Sequence, residues 1–228
     1  MKLPIKFILA VIFLVILGVG AMVFTKIFNP APFGSNEDDK YITIKGVKPK
    51  DLNVTAWATF YGGGENCNSW TFSADTGNVT KAAKDVIKIE HDFSENENSY
   101  ELRIPYKSYN TNCGMTLYSV SFKANNKFDE VFASFRTARG AEVSYRTLPS
   151  TVHLESRNCN ASIHKWVEIE RWSGDISCDF YINNKKLQGD QNSLDMDFAL
   201  FNDSTVIRYD IIAGKDYRSE PMDPEVGP

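Results

Sequence analysis

The sequence lacks the short motifs that mark the common catalytic and cofactor-binding sites. It contains no G-x-S-x-G nucleophile elbow, no H-E-x-x-H metal motif, no phosphate-binding G-x-x-x-x-G-K and no dinucleotide-binding G-x-G-x-x-G. Histidine, the commonest general base, occurs three times, at His91, His153 and His164. The sequence therefore predicts a protein that is not an enzyme, with no catalytic residue, no cofactor and no metal.

The sequence also lacks an excess of either charge. It has 25 lysines and arginines against 29 aspartates and glutamates, for a net charge of -4. Nucleic-acid binding needs a basic face, so a nucleic-acid partner is not expected. Apolar residues make up 43% of the chain, which is typical of a globular protein that buries a core.

A long apolar run occurs at the N-terminus. Residues Phe7 to Thr25 carry no charge, and a helix of that length measures roughly 28 Å, about one hydrocarbon core. Lys2 and Lys6 precede the run, so the short leading side is expected to stay cytoplasmic. Residues 1–28 are predicted to be a signal anchor, a transmembrane helix that leaves a single-pass inner-membrane protein with its C-terminal domain in the periplasm or outside the cell.

A second interpretation of the same run is a signal peptide. Small residues at Val19-Gly20-Ala21 resemble a cleavage site, and cleavage there predicts a secreted protein. Both interpretations place the rest of the chain outside the cytoplasm. Residues 29–40 contain two prolines, a glycine and a charge cluster, and are predicted to be a flexible spacer.

The four cysteines form an even set, which outside the cytoplasm predicts two disulfides; they are Cys67, Cys113, Cys159 and Cys178. The sequential pairing, Cys67–Cys113 and Cys159–Cys178, is favoured because each bond then lies within one half of the chain. The alternative is a zinc site built from Cys159, Cys178, His153 and His164, although no adjacent ligand pair supports it.

Beyond residue 40, apolar residues recur with a period of two, which is typical of strands with one buried face. Examples are Leu52, Val54, Ala56, Ala58 and Phe60, and later Ile207, Tyr209 and Ile211. We expect an all-β protein, an antiparallel β-sandwich, made of two related halves at 41–126 and 127–218. Residues 80–87 (TKAAKDVI) are expected to form a brief helix, and the polar residues 219–228 a disordered tail.

Two pairs of aromatic residues are candidate binding residues. Trp57 and Tyr61 lie opposite the aliphatic face of one predicted strand, and Trp166 and Trp172 lie opposite Val167 and Ile169 in another. If the aliphatic faces are buried, these aromatic rings are exposed, as in protein interfaces and sugar-binding platforms. The alternative is a strand buried on both faces.

Three aspartates form a candidate acidic contact surface: Asp190, Asp195 and Asp197. Asp195 and Asp197 would lie ~7 Å apart on one strand face. That spacing is near the carboxylate separation of inverting glycosidases, but those enzymes usually take the two carboxylates from different elements, so a solvated outer face is the favoured interpretation.

Together these features favour a membrane-anchored, extracytoplasmic domain that binds a protein. The most concrete form of this hypothesis is an inhibitor or immunity-type protein that neutralises a secreted toxin targeting the cell envelope. One alternative is a glycan-binding or adhesion module that uses the tryptophans. A second alternative is an envelope hydrolase.

Overall fold

The alternating segments form twelve β-strands, and the described part of the chain contains no α-helix. The strands are β1 Tyr41–Val47, β2 Asn53–Gly63, β3 Trp70–Phe72, β4 Val79–Ile89, β5 Ser99–Pro105, β6 Thr116–Asn125, β7 Glu130–Thr137, β8 Thr151–Trp166, β9 Arg171–Ile182, β10 Lys185–Lys186, β11 Ser193–Met196 and β12 Val206–Ala213. Within the described ranges, 3₁₀ turns occur at Thr111–Cys113 and Phe198–Leu200.

The computed structural model describes residues 31–72, 77–107, 111–137, 151–187 and 192–228. Asp38–Pro228 forms one compact unit, and Met1–Glu37 a second, of which only the turns from residue 31 onward are described. The predicted anchor at 1–28 lies outside the described residues, as does Asp190. Within the described ranges, no helix has the length and hydropathy needed to cross a membrane.

The strands build two six-stranded sheets that pack face to face. Sheet 1 has the order β10-β9-β8-β12-β1-β5, and sheet 2 has the order β11-β7-β6-β2-β4-β3. Each sheet contains strands from 41–126 and from 127–218. The predicted all-β sandwich is confirmed at the level of two stacked sheets.

The sheets are mixed, so the prediction of purely antiparallel sheets was wrong. Three pairs are parallel: β1 with β12, β8 with β12, and β7 with β11. Each of them joins strands that are distant in sequence, where long connections allow both strands to run in one direction. Neighbouring strands in the sequence, such as β6 and β7 or β8 and β9, pair antiparallel as predicted.

The core lies between the sheets and follows the predicted alternation. Every apolar residue of the β2 series from Leu52 to Phe60 is buried. Phe122 packs at its centre, with its ring 5.3 Å from that of Tyr100 and 5.0 Å from that of Tyr209. The hydroxyl of Tyr100 donates to the Tyr209 carbonyl oxygen at 2.6 Å, so these rings are buried without an unsatisfied polar atom.

Two local expectations were wrong. Residues 80–87 belong to β4, because β2 pairs with residues 82–89, from Ala56↔Ile89 to Gly63↔Ala82, and β3 pairs with Thr80 and Lys81. This pairing overrides the local helix propensity. Val167 and Ile169 lie in the turn between β8 and β9 and are exposed, so they are not a buried strand face.

Both predicted disulfides are confirmed. Cys67 is bonded to Cys113 and Cys159 to Cys178, with Cα atoms 4.3 and 4.2 Å apart. No free cysteine remains to ligate a metal, which eliminates the zinc alternative. Two disulfides indicate an oxidising, extracytoplasmic compartment.

The C-terminal residues 219–228 differ from the predicted disordered tail, because they lie along the edge of β9. The amide of Trp172 donates to the Pro224 carbonyl oxygen at 2.8 Å, and Arg171 forms an ion pair with Glu225 at 2.9 Å. Gly227 lies directly against the indole of Trp172, where a Cβ would come within 2.6 Å of the ring. The backbone of β9 therefore provides partners that the composition of the tail does not reveal.

Candidate functional site: the tip of the β8–β9 hairpin

The β8–β9 hairpin is longer than the strands beside it. In the sheet register, β12 ends where Ala213 pairs with Cys159, whereas β8 and β9 continue to the pair Trp166 and Arg171. Residues 160–177 thus form a two-stranded extension, which we call the hairpin arm. Its tip consists of Trp166 and the four turn residues that follow it, as far as Glu170.

The base of the hairpin arm is held by covalent and backbone contacts. The Cys159–Cys178 disulfide joins the two strands there. The amide of Ala161 donates to the Asp216 carbonyl oxygen at 2.9 Å, and the amide of Ile176 donates to the carboxylate of Asp129 at 3.0 Å. These contacts fix both outer edges of the arm to the sandwich.

Residues 214–228, which we call the C-terminal strap, connect the arm to sheet 2. The hydroxyl of Tyr217 donates to Asp51 at 3.0 Å. The side-chain amide of Asn126 donates to the Tyr217 hydroxyl at 2.9 Å and to the Arg218 carbonyl oxygen at 3.0 Å. Partial burial raises the pKa of Asp51, but the hydrogen bonds from Asn126, Ser219 and Tyr217 outweigh it and leave that pKa below its usual value.

The tip exposes three large apolar side chains. Trp166 is 55% exposed, Val167 85% and Ile169 63%. Glu170 closes the turn with a φ of 52°, a left-handed conformation that costs energy in a residue other than glycine, asparagine or aspartate. A rigid base that carries exposed apolar side chains is the geometry expected of a binding loop.

The two predicted tryptophans of this hairpin have different environments. Trp166 is exposed, with its ring 5.2 Å from the ring of His164. Trp172 is partly buried under Gly227 of the strap, and the Lys165 ammonium lies 6.0 Å from its ring centroid. Trp166 is therefore available to a partner, whereas Trp172 supports the arm.

Trp57 and Tyr61 lie elsewhere, on the outer face of sheet 2. Tyr61 is exposed and packs edge-on against Tyr118 at 4.9 Å, with the Lys84 ammonium 5.7 Å from its ring. Trp57 is partly buried on the same face. This pair is not joined to the hairpin tip.

The two described aspartates of the predicted acidic surface, Asp195 and Asp197, do not lie next to the hairpin tip. Asp195 pairs in register with Arg136 near the end of β7, whereas the ring of Phe128, just before β7, packs against Gly174 of the arm. Because residues 130–136 span roughly 20 Å of strand, Asp195 and the arm lie near opposite ends of β7. Asp197 lies after β11 and caps a 3₁₀ turn by accepting from the Ala199 amide at 3.0 Å, so its carboxylate is engaged locally.

A charged network on the outer face of sheet 1 was not predicted. Asp210 is buried, and its carboxylate accepts from the Val47 amide at 3.0 Å, from Arg208 at 3.0 Å and contacts Nε2 of His153 at 2.8 Å. The neighbouring Glu155 is also buried and binds Arg157 through both oxygens. Each buried carboxylate thus has its own arginine, as a structural ion-pair network requires.

Among the described residues, this network is the cluster that most resembles a metal or catalytic site. Ligand atoms of His153, Glu155 and Asp210 lie within 4.8 Å of one another. A metal ion would compete with two arginines that already neutralise the carboxylates. The shallow cleft beside Asp210, about 290 Å³ in volume, contains Ser94 and Ser99, but their hydroxyls bond to each other at 2.6 Å. The arrangement stabilises sheet 1 and does not pair a nucleophile with a base.

The sequence contained a partial signal for this network. His153, Glu155 and Arg157 alternate with the buried residues of β8, and Arg208 and Asp210 alternate with those of β12. The parallel pairing Asp210↔Glu155 that unites the two sets is non-local and could not be inferred from either strand alone.

Comparison with known proteins identifies no relative. No family model, no curated protein and no solved structure matches the chain significantly.

Proposed function

We propose that this chain is a membrane-anchored, extracytoplasmic protein-binding domain whose contact surface is the tip of the hairpin arm. The observation that carries the proposal is the exposure of Trp166, Val167 and Ile169 on a turn whose base is fixed by a disulfide and by the C-terminal strap. Exposed aromatic and aliphatic side chains are typical interface anchors. A rigid arm also lowers the entropy lost on binding.

The direction of the strands supports a role for the tip in reaching a partner. The chain enters the domain at Tyr41, and β1, β12 and β8 run parallel, with Thr43, Val206 and Thr151 at the same level. The tip lies at the far end of β8, roughly 45–50 Å along the sheet. A domain tethered through Tyr41 presents its tip away from the tethered end.

The most concrete form of the proposal is an inhibitor or immunity-type protein that neutralises an envelope-targeting toxin. A projecting, braced loop fits a concave surface on a partner, and pre-formed loops of this kind bind with little rearrangement. The acidic side chains Glu168 and Glu170 flank the apolar anchors at the tip. They favour a partner with basic groups around its cleft, and such pairs mainly accelerate association.

Site-specific photocrosslinking in the native cell envelope tests the location of the contact. A photoreactive residue at Val167 is expected to capture one protein partner. The matched control places the same residue at Val86, an exposed valine of sheet 2, and is expected to capture no such partner. Equal capture at both positions, or at neither, contradicts the proposed contact surface.

Variants of the tip then test whether the contact provides affinity. Trp166→Ala and Ile169→Asp are each expected to weaken binding of the captured partner by ~2 kcal/mol or more, which is about 30-fold in Kd. Their melting temperatures should stay at the wild-type value, because both side chains project from a turn. If the partner is a toxin, the same variants should also abolish protection of the cell against it.

The glycan-binding alternative makes a different prediction for the same tip. An exposed indole also stacks on sugar rings, so a glycan-binding module should bind cell-wall or surface polysaccharide through Trp166 and should tolerate Ile169→Asp. Saturable polysaccharide binding that depends on Trp166 and tolerates Ile169→Asp would favour glycan binding over protein binding as the function of the tip. Turnover of such a polysaccharide would favour the hydrolase alternative instead.

A further inference from the structure

A second apolar surface lies on the β3–β4 hairpin, and we propose that it rests on the lipid headgroups of the membrane that carries the anchor. The surface consists of Trp70, Phe72 and Val79, with Lys81 at its edge, and we call it the β3–β4 surface. The inference rests on the anchor of the proposed function, but it concerns a different part of the domain and does not involve the hairpin tip.

Strand register brings these side chains to one face. Trp70 pairs with Lys81 and Phe72 with Val79, so the four residues are cross-strand neighbours on the same side of the hairpin. The three apolar side chains are 62–65% exposed. The Lys81 ammonium lies 5.6 Å from the Trp70 ring and donates to the Glu65 carbonyl oxygen at 2.7 Å.

The β3–β4 surface continues the inner face of sheet 2 beyond the sandwich. Residues of β4 on this side are buried at Ile89 and partly buried at Ile87 and Ala83, and Val79 follows in the same alternation. The same face is exposed at Asp85 and, beyond Ala83, at Lys81 and Val79, where sheet 1 no longer covers it. Large apolar side chains that extend a core face into solvent mark a surface that is covered by something else.

The position of the surface favours the membrane as its cover. β2 ends at Gly63, which pairs with Ala82, so Val79 to Lys81 lie beyond that end of sheet 2. The pair Tyr61↔Thr116 lies at the same end, and Thr116 also bridges to Lys107. Lys107 comes two residues after Pro105, which pairs with Tyr41 at the start of β1. The β3–β4 surface therefore lies at the end where the chain enters the domain, opposite the hairpin tip.

The chemistry of the surface matches the lipid interface. Tryptophan prefers the headgroup level, where its ring is apolar and its N–H is hydrated, and phenylalanine and valine supply the apolar area of interfacial segments. Lysine beside them can extend its stem along the apolar surface and place its ammonium among phosphates. The spacer 29–40 reaches at most ~40 Å when extended, so an anchored domain stays within contact distance of the bilayer.

Fluorescence quenching by brominated lipids tests the proposal with the full chain. The protein is reconstituted into phosphatidylethanolamine–phosphatidylglycerol vesicles with bromine on the acyl chains, and vesicle flotation is measured in parallel. Wild-type emission is expected to be quenched, and Trp70→Phe should reduce the quenched fraction by roughly half or more. The control Trp166→Phe removes an emitter that does not contact lipid, so it should leave the quenched intensity unchanged and slightly raise the quenched fraction.

Three outcomes overturn the proposal. If Trp70→Phe is quenched as much as wild type while the chain floats with the vesicles, the anchor stands and the β3–β4 surface does not contact lipid. If Trp70 is shielded from aqueous acrylamide but not quenched by bromine, a protein or a second copy of the chain covers the surface. If the chain does not float at all, the anchor itself is wrong, and the proposed function and this inference fail together.

Discussion

At the scale of single residues, the two tryptophans of the hairpin arm separate stability from binding. Replacing Trp172 by alanine removes the indole that packs against Gly227 of the strap. Because this indole is partly buried, we expect a loss of about 1–2 kcal/mol of unfolding free energy and a drop in Tm of roughly 3–6 °C. Urea unfolding and calorimetry measure both quantities.

The matched control is Trp166→Ala, which removes an exposed indole from the same hairpin. It should leave the unfolding free energy within about 0.5 kcal/mol of the wild-type value. If the two variants lose equal stability, the strap does not cover Trp172 in solution. If Trp172→Ala is as stable as wild type, that residue is free to act as an interface anchor, as its sequence pattern allowed.

Asp51 gives the strap a dependence on pH. Its carboxyl has a lowered pKa in the folded protein because hydrogen bonds from Asn126, Ser219 and Tyr217 favour the charged form. An unfolded aspartate titrates near pH ~4, so the stabilisation is present above that pH and is lost as the pH falls through the lower folded value. Asp51→Asn should therefore lower the Tm at pH 7 by roughly 2–4 °C and have a smaller effect near pH ~3, where part of this stabilisation is already lost.

The comparison is made by thermal unfolding of both proteins across this range. A useful control is Asp85→Asn, because Asp85 is an exposed carboxylate on β4, away from the strap. A difference between Asp51→Asn and wild type that is the same at both pH values would contradict the role of the carboxylate charge.

At the scale of elements, the two disulfides have separable roles. Chain-entropy arithmetic assigns ~4 kcal/mol to Cys67–Cys113 and ~3 kcal/mol to Cys159–Cys178. Replacing both members of the second pair by serine should speed amide exchange in residues 160–177 and weaken partner binding, because the arm is no longer pre-organised. Replacing the first pair should lower stability at least as much but leave exchange in the arm and binding unchanged under native conditions.

Hydrogen exchange resolved by peptide and a binding titration decide between these expectations. Equal effects of the two double variants on binding would mean that general stability, and not the base of the arm, controls the contact. Non-reducing peptide mapping of the wild-type protein supplies the control, since it must recover both bonds and no free thiol.

The elements also show where sequence patterns carry information and where they do not. The alternation from Leu52 to Phe60 predicted a half-buried strand correctly because a period of two is a local property of the pleat. The pattern did not distinguish a strand from a turn at Val167 and Ile169, since two apolar residues alternate in either. The helical prediction at 80–87 was wrong because this segment is stabilised as a strand by pairing with β2, which is distant in sequence.

Candidate site residues follow the same division. Trp166 was identified from its type and spacing, and it is exposed at the tip. The reason given for its exposure, an aliphatic face opposite it, was not the physical reason, which is the turn. The network around Asp210 and the strap over Trp172 depend on pairings between strands or segments that are distant in sequence, so no local pattern could reveal them.

At the scale of the whole molecule, the first and last strands lie side by side in the interior of sheet 1. β1 pairs with β12 on one edge and with β5 on the other. Sheet 2 likewise joins β6 from the first half to β7 from the second. Each of the two predicted halves, 41–126 and 127–218, therefore supplies only part of both sheets. Whether either half can fold without the other tests the hypothesis that they are separate units.

We predict that neither half folds alone. A fragment of residues 127–228 keeps β8 and β12 but loses β1, which exposes one edge of β12 and the buried side chains of Ile207 and Tyr209. A fragment of residues 38–126 loses β7 and β12, the partners of β6 and β1. With these edges and apolar faces uncovered, each fragment buries too little area to offset the chain entropy that is lost on folding.

Circular dichroism and urea unfolding of the two fragments test this prediction, each produced in an oxidising compartment so that its own disulfide can form. Both fragments should lack a cooperative transition, and their mixture should regain one, because the β1–β12 and β6–β7 pairs then re-form between chains. The intact Asp38–Pro228 unit is the control and should unfold in one transition. A cooperative transition in either fragment alone would contradict the prediction and would establish that half as an independent folding unit, since only a closed core gives such a transition.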